Sequence, residues 1–381
     1  MSKNMTIRPI FLCARCASIG AVKKSYIQIG SICLIGLLVI GGYVFFEYSA
    51  VKIVRGDLSI LDEPLWPKPL NQTAYNERML ALAHHVASTT VATSTISYST
   101  STSISKVDEL WPASGPYPHG GAILPFHRIV AYYGNFYSAR MGILGEFEPE
   151  IVQEHLEATV LAWEEADPDT PVKPAIHYIA MVAQGEAGAD GMYRAVMPDE
   201  HIEKAYRMAQ DVGGILFLDL QVGLSTLQEE LPKFRKYLER PDVHLAVDPE
   251  FSMQNGEKPG SVIGRFEAAD INYASAYLAN IVHEKKLPPK VLIVHRFTEN
   301  MVGDVEEITL QPEVQIVMHM DGWGSTDLKR ATYRQVVELE PLQFAGLKIF
   351  YKNDLKPPSE GIFTPEEALE LYPRPIYIQY Q

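Results

Sequence analysis

The chain has 381 residues, enough for one large domain or two of ordinary size, and 47% of its residues are hydrophobic, as expected for a chain that mostly folds. Its formal net charge at pH 7 is −14. No nucleic-acid partner is expected for so acidic a chain, because binding to phosphate depends on Lys and Arg.

An apolar stretch near the N-terminus, residues 25–46, contains no charged residue. It is long enough to cross a bilayer as a helix, which needs about 20 apolar residues. Residues 1–24 carry five basic side chains and no acidic one, so the positive-inside rule keeps this basic tail in the cytoplasm. A cleavable signal peptide is the alternative, although Gly41-Gly42-Tyr43 makes a poor cleavage site. We therefore predict a signal anchor: a single-pass protein of the cell membrane with an extracytoplasmic C-terminal part.

The segment between the predicted span and the folded part has no strong pattern. Residues 47–87 are interpreted as a stalk with a short helix at 77–86. Residues 88–106 are rich in Ser and Thr and have no periodic apolar face, which predicts a flexible or glycan-bearing tether. All three cysteines precede the predicted outer domain. Cys13 and Cys16 form one C-x-x-C pair, interpreted as reduced thiols because a structural zinc site needs four ligands.

From residue 128 onward, short β-rich apolar runs alternate with amphipathic helical patterns within the predicted domain, 107–381. The predicted strands are 128–134, 175–183, 214–221, 243–250, 290–297, 314–321, 346–352 and 375–381. The predicted helices are 148–166, 199–212, 225–240, 266–286, 327–340 and 364–372, with Ser225 as N-cap of the third and Gln228 in its capping-box position. Alternation predicts a parallel sheet, and eight strands in about 250 residues fit a closed (β/α)₈ barrel. An open doubly wound sheet is the structural alternative.

Polar and aromatic side chains collect near the C-terminal ends of the predicted strands. The polar ones are Asp219, Gln221, Asp248, Glu250, His295, His319 and Asp321, and the aromatic ones are Tyr132, Tyr133, Trp323, Tyr351, Tyr377 and Tyr380. A single Asp at a strand end is often a helix cap, and a single buried His, as we expect for His244, is often a hydrogen-bonded core residue. Acidic or His side chains at the same end of four consecutive strands instead indicate a functional mouth, where barrel active sites lie.

The tripeptide Asp248-Pro249-Glu250 suggests the chemistry of this mouth. On a strand, residues two apart face the same way, at about 6.5–7 Å from each other. Neighbouring carboxylates push each other's pKa values apart, so that one can stay protonated as a general acid. Aromatic rings at the mouth could stack on sugar rings, so the sequence predicts a polysaccharide ligand.

An Asp-x-Glu on the fourth strand of a (β/α)₈ barrel resembles the glycoside hydrolases of the chitinase and Chalaropsis-type lysozyme kinds. The resemblance implies that Glu250 is the general acid and Asp248 its assistant; no metal or cofactor is expected on this interpretation. The residues expected to hold the substrate or tune the acid are Asp219, Gln221, His295, His319, Asp321, Tyr133, Trp323, Tyr351 and Tyr377. The sequence departs from the longer chitinase motif at Val243 and Ala246, where that motif has acids. In the lysozyme group an Asp opens the first strand, whereas this chain has Ala-Tyr-Tyr-Gly at 131–134.

Two alternatives stay open. His295 and His319, on neighbouring strands, resemble the metal-dependent amidohydrolase barrels, but those also have a His-x-His on the first strand and an Asp on the eighth, and both are missing here. About one tightly bound zinc per chain would favour that class. The other alternative is a barrel that binds a glycan without cleaving it, because a fold does not determine a function.

Overall fold

A computed structural model of the protein describes residues 66–84, 111–359 and 361–381. The predicted basic tail (1–24), membrane span (25–46) and tether (88–106) lie outside these residues. Within the described ranges, no helix combines the length and the apolar character needed to cross a bilayer.

Eight parallel strands form the centre of the molecule. They are β1 Arg128–Gly134, β2 Val172–Ala183, β3 Ile215–Leu220, β4 Val243–Val247, β5 Lys290–Arg296, β6 Val314–Met320, β7 Phe344–Ile349 and β8 Tyr377–Tyr380. Each strand pairs with its neighbours in this order, and β1 pairs with both β2 and β8, which closes the ring. The closed barrel predicted from the sequence is therefore confirmed, and the open sheet is excluded.

One helix precedes the first strand, and the others lie between successive strands. The helices are α1 Gln72–Leu82, α2 Pro149–Ala166, α3 Asp199–Asp211, α4 Leu227–Glu230, α5 Arg235–Leu238, α6 Ala268–Lys285, α7 Thr326–Tyr333 and α8 Pro365–Leu369. Short 3₁₀ turns occupy Ile143–Gly145, Leu231–Phe234, Pro249–Phe251, Glu299–Met301 and Val305–Glu307, and a π-turn at Arg334–Glu338 follows α7. Short strands lie at Arg194–Val196, antiparallel to β2, and at Phe266–Glu267, paired with Val302–Gly303. The predicted helices are thus found in place, but 225–240 is broken into three turns.

Side chains at alternate positions of a barrel strand point inward and outward. The apolar residues inside the barrel include Ile129, Ala131, Phe217, Ile293 and Val317, which form one buried cluster. The outward positions include Val130, Leu218 and Val294, which pack with the helices in a second cluster. Burial on both faces explains why these strands are near-continuous apolar runs in the sequence.

The N-terminal end of the barrel is covered by residues that the sequence assigned to the stalk. Tyr75, Met79 and Leu82 of α1 are buried in the same apolar cluster as the barrel interior. The backbone N–H of Arg374, just before β8, donates to the carbonyl of Leu82 at 2.9 Å. The helix expected at 77–86 is therefore α1, which begins at Gln72, and it belongs to the barrel because it buries apolar side chains there.

The N-cap of α4 is Thr226, and the prediction of Ser225 was wrong. Thr226 Oγ1 accepts a hydrogen bond from the N–H of Glu229 at 3.3 Å. Ser225 Oγ instead donates to Glu230 Oε1 at 2.6 Å. Glu230 is buried and also pairs with Arg194. Because the Ser225 hydroxyl is hydrogen-bonded to this carboxylate, the hydroxyl of Thr226 caps the helix instead.

We expect Thr226→Ala to lower the free energy of unfolding by about 1 kcal/mol, because the helix loses its capping oxygen. The control is Thr226→Ser, which keeps the hydroxyl and should stay within about 0.5 kcal/mol of the unaltered protein. Urea unfolding measures both. A Thr226→Ala protein as stable as Thr226→Ser would show that this cap contributes nothing.

Candidate functional site

The C-terminal ends of the strands surround a cleft of about 680 Å³, a volume usual for a ligand site. Its polar lining includes Gln221, Asp248, Glu250, Asp321 and Lys348. Its aromatic lining comprises Tyr133, Phe251, Phe297, Trp323 and Phe350. The barrel therefore brings together, at the predicted mouth, side chains from strands that are far apart in the sequence.

Asp248 and Glu250 do not lie on one strand, so the predicted facing pair is wrong. Strand β4 ends at Val247, and Pro249–Phe251 forms a 3₁₀ turn capped by Asp248. Asp248 Oδ1 accepts from the N–H of Glu250 at 3.1 Å, and Asp248 Oδ2 accepts from Gln221 Nε2 at 3.1 Å. Pro249 has no N–H with which to continue a ladder, and the Asp248 side chain captures the next N–H, so the backbone turns.

The acid groups of the cleft have shifted pKa values. Burial, reinforced by the negative charge of Asp321, raises the pKa of Glu250 to about 7, against the opposing effect of Lys348 and His295. Burial also raises the pKa of Asp248 well above its usual range, and the neighbouring carboxylates add to this. Asp321, rather than Asp248, is therefore the carboxylate whose charge acts most strongly on Glu250.

Asp321 connects the cleft to a buried layer beneath it. Its Oδ2 lies 2.9 Å from His295 Nδ1. Burial alone would lower the pKa of His295, but Asp219 and Asp321 outweigh it and raise this pKa to about 10. Asp321 thus has a cationic neighbour on the side facing the barrel interior.

The buried layer contains four of the predicted substrate-binding residues: Asp219, His295, His319 and Tyr377, all without solvent exposure. Asp219 Oδ2 lies 3.3 Å from His177 Nε2 and 3.4 Å from His295 Nε2. Burial would raise the pKa of Asp219, but the two imidazoles hold it well below its usual range. The structure places this layer under the cleft and not on its surface. His177, Asp219 and His295 bring together ligand atoms of the kind that bind a metal ion.

The predicted aromatic residues fall on two sides of the barrel wall. Tyr133 and Trp323 line the cleft, and Trp323 is 55% exposed. Tyr351 points outward, where its hydroxyl lies 3.1 Å from that of Tyr132 and its ring stacks on Tyr380 at 5.2 Å. The prediction that Tyr351 faces the mouth was therefore wrong. The alternation of side chains along β7 continues past its last residue, so that Lys348 and Phe350 face the cleft and Tyr351 does not.

A buried ion pair holds the loop that carries Trp323. Asp354 Oδ2 accepts from Lys329 Nζ and from the N–H of Phe350, both at 2.9 Å, and Asp354 Oδ1 accepts from the N–H of Gly324 at 2.9 Å. Lys329 Nζ also donates to the carbonyl of Gly322 at 3.0 Å. Burial lowers the pKa of Lys329 to about 8, an effect that Asp354 opposes. The loop between Asp321 and α7 is thus fixed from beneath on both sides of Trp323.

Two residues of the site were not predicted from the sequence. Lys348 Nζ lies 3.8 Å from the centre of the Tyr133 ring, and burial lowers its pKa. His177 lies in the buried layer, where burial lowers its pKa to about 4. Each is a polar residue inside an apolar strand, and this interruption was the available signal in the sequence.

Comparison with family models and with curated proteins identifies no relative of the chain. No family model matches the chain, and no curated protein matches it. The resemblance to glycoside hydrolases therefore rests on the barrel and on the residues at its mouth.

Proposed function

We propose that the cleft hydrolyses a glycosidic bond, with Glu250 as the general acid and Asp321 as the second carboxylate. The observation that carries this proposal is the cleft at the strand ends, where Glu250 and Asp321 meet among aromatic side chains. Burial and the charge of Asp321 raise the pKa of Glu250 to about 7. Glycoside hydrolysis commonly uses two carboxyl groups, of which one must be protonated at working pH. The raised pKa supplies that proton.

Asp248 has a different role in this proposal from the one implied by the resemblance. Both its carboxylate oxygens accept hydrogen bonds from within the protein, one from the backbone N–H of Glu250 itself. We assign Asp248 as a positioning residue that fixes the turn carrying the acid. Asp321, which follows β6 and lines the same cleft, takes the role of second carboxylate because its charge raises the pKa of Glu250.

The other side chains of the cleft support a sugar as the ligand. Trp323 is largely exposed at the rim, and Tyr133 and Phe297 lie further in; aromatic faces with polar groups between them are suited to sugar rings. The net charge of −14 favours an uncharged glycan over a polyanionic one, because like charges reduce encounter. The membrane anchor at 25–46 stays a prediction and would keep the activity close to surface polymers.

The test is release of product. The full-length protein, Glu250→Gln and the control Glu154→Gln, whose side chain is exposed on α2, are incubated with cell-wall and exopolysaccharide preparations. Mass spectrometry then measures released oligosaccharides. We expect release by the unaltered protein and by Glu154→Gln but not by Glu250→Gln. Equal release by Glu250→Gln would remove this residue from the mechanism. If all three proteins bind the glycan and none of them releases oligosaccharides, the result would support the non-catalytic alternative.

The activity should depend on pH through the protonation of Glu250. The titratable groups that act on it are Asp248, His295, Asp321 and Lys348. Because the acid must be protonated, kcat/KM should be lost as pH rises through about 7, by about tenfold per pH unit beyond that point. The effect is measured from initial rates of glycan cleavage between roughly pH 5 and pH 9, a range that extends to both sides of this pKa. A rate that increases through neutral pH would contradict Glu250 as the acid.

A further inference from the structure

Three buried side chains beneath the cleft place metal-binding atoms together. The nearest oxygen of Asp219 lies 3.3 Å from His177 Nε2 and 3.4 Å from His295 Nε2, and all three residues have no solvent exposure. Ligands bonded to tetrahedral zinc at 2.0–2.1 Å are about 3.4 Å apart. The separations of Asp219 from His177 and from His295 therefore match those between ligands of one ion, and the three ligand atoms all lie within 4.8 Å of one another.

The same separations do not suit direct hydrogen bonds. A hydrogen bond between a charged imidazole and a carboxylate is about 2.7–2.9 Å long, as found between His295 Nδ1 and Asp321 at 2.9 Å. Among the described residues, His177 Nε2, His295 Nε2 and both oxygens of Asp219 have no hydrogen-bond partner. Buried polar atoms are nearly always partnered, so two imidazole nitrogens that meet the Asp219 carboxylate only at 3.3 and 3.4 Å indicate a missing ligand.

The Nδ1 atom of each imidazole, which is the ring nitrogen that does not face Asp219, contacts other side chains. His295 Nδ1 contacts Asp321 at 2.9 Å. His177 Nδ1 contacts the hydroxyl of Tyr377 at 2.6 Å and Gln379 Nε2 at 3.0 Å. A metal-bound His characteristically has a hydrogen-bonding partner at its other nitrogen, which fixes the ring and directs the free nitrogen to the ion. Both imidazoles are oriented in this way toward Asp219.

We infer that His177, Asp219 and His295 bind a divalent transition-metal ion, which displaces the proton from His295 Nε2 on binding, with zinc as the ion tested here. Two imidazoles and one carboxylate suit zinc and its neighbours, whereas calcium and magnesium take oxygen ligands. The carboxylates of Asp219 and Asp321 place negative charge beside the ion. The inference is independent of the proposed glycan hydrolysis, because metal binding is measured directly.

The test compares zinc content between matched proteins. His119, His283 and Glu313 form a second, more exposed group of ligand atoms, so all proteins carry His283→Ala to remove it. Full-length parent and Asp219→Asn are treated with chelator, loaded with Zn²⁺, freed of excess and analysed by plasma mass spectrometry. Cys13 and Cys16 are present in both, so only the difference matters. We expect Asp219→Asn to hold about one zinc ion fewer per chain, and the control Asp211→Asn, altered at an exposed helix end, to hold as many as the parent.

A second variant keeps the inference testable if Asp219→Asn fails to fold. Asp321→Asn keeps the three ligands but replaces the carboxylate behind His295, and we expect the Kd for Zn²⁺ to rise about 10–100-fold. Addition of Zn²⁺ should also raise the Tm of the parent, because its three ligands are intact and the ion binds the folded protein. Equal zinc content in parent and Asp219→Asn, or a parent whose Tm does not respond to Zn²⁺, would overturn the inference.

Discussion

Replacement of Glu250 by glutamine is expected to lower kcat/KM for glycan cleavage by about 10²–10⁴-fold, the usual contribution of a general acid. Glutamine keeps the shape of the side chain but cannot give a proton to the leaving oxygen. Because the 3₁₀ turn is fixed through Asp248 and the backbone N–H of residue 250, the cleft should keep its form. Binding of the glycan, measured by calorimetry, should therefore change far less than the rate.

The proposed pair of carboxylates gives this prediction a sharper test. If Glu250 and Asp321 act in one mechanism, the double variant Glu250→Gln/Asp321→Asn should be little slower than the worse of the two single variants. If the rate loss of the double variant equals the product of the two single losses, the two residues act independently. The thermal unfolding of each variant serves as the control for loss of fold.

Asp354→Ala is expected to lower the free energy of unfolding by about 3–5 kcal/mol. The change leaves the buried Lys329 amine without its carboxylate, and removing one partner of a buried pair has a cost of this size. The N–H groups of Gly324 and Phe350 also lose their acceptor, and each unsatisfied buried group adds to the loss. Urea unfolding measures the effect. Since the loop bearing Trp323 rests on this pair, glycan affinity should fall as well.

Two comparisons isolate the ion pair. Asp211→Ala removes an exposed carboxylate and should change the unfolding free energy by no more than about 0.5 kcal/mol. The double variant Lys329→Met/Asp354→Leu removes both charges and should be more stable than Asp354→Ala, because no buried charge stays unpaired. If the double variant is the less stable protein, the buried charge is not the cause of the loss.

The sequence predicted the barrel because its periodicities are strong. Eight apolar runs, each buried on both faces, recur between amphipathic helices, and this repetition fits few folds. The mouth was also predictable, since Gln221, Asp248, Glu250 and Asp321 all follow strands whose C-terminal ends meet at one rim of the barrel. These positions depend on local pattern and on the topology rule, and neither requires knowledge of side-chain packing.

The remaining features depend on packing and register, which a single sequence does not fix. Strand β2 is apolar on both faces around His177, and its register shifts between Ile179 and Met181, so its C-terminal half gives no simple alternation from which to infer which residues face inward. The separation of Asp248 from Glu250 depends on where β4 stops, which a hydrogen bond from one side chain decides. The apolar positions of α1 acquire their meaning only from the open barrel end that they cover.

The pairing of β1 with β8 also determines how the barrel can be assembled. Ile129 of the first strand pairs with Tyr377 of the last, so the ring stays open until the final strand has been synthesised. Until then, β1 and the newest strand each present unpaired backbone groups, which can capture another chain. Contacts of such long range form slowly, and partly folded chains with exposed edges aggregate. This topology therefore leaves the folding chain open to misassembly until residues 377–380 are available to close the ring.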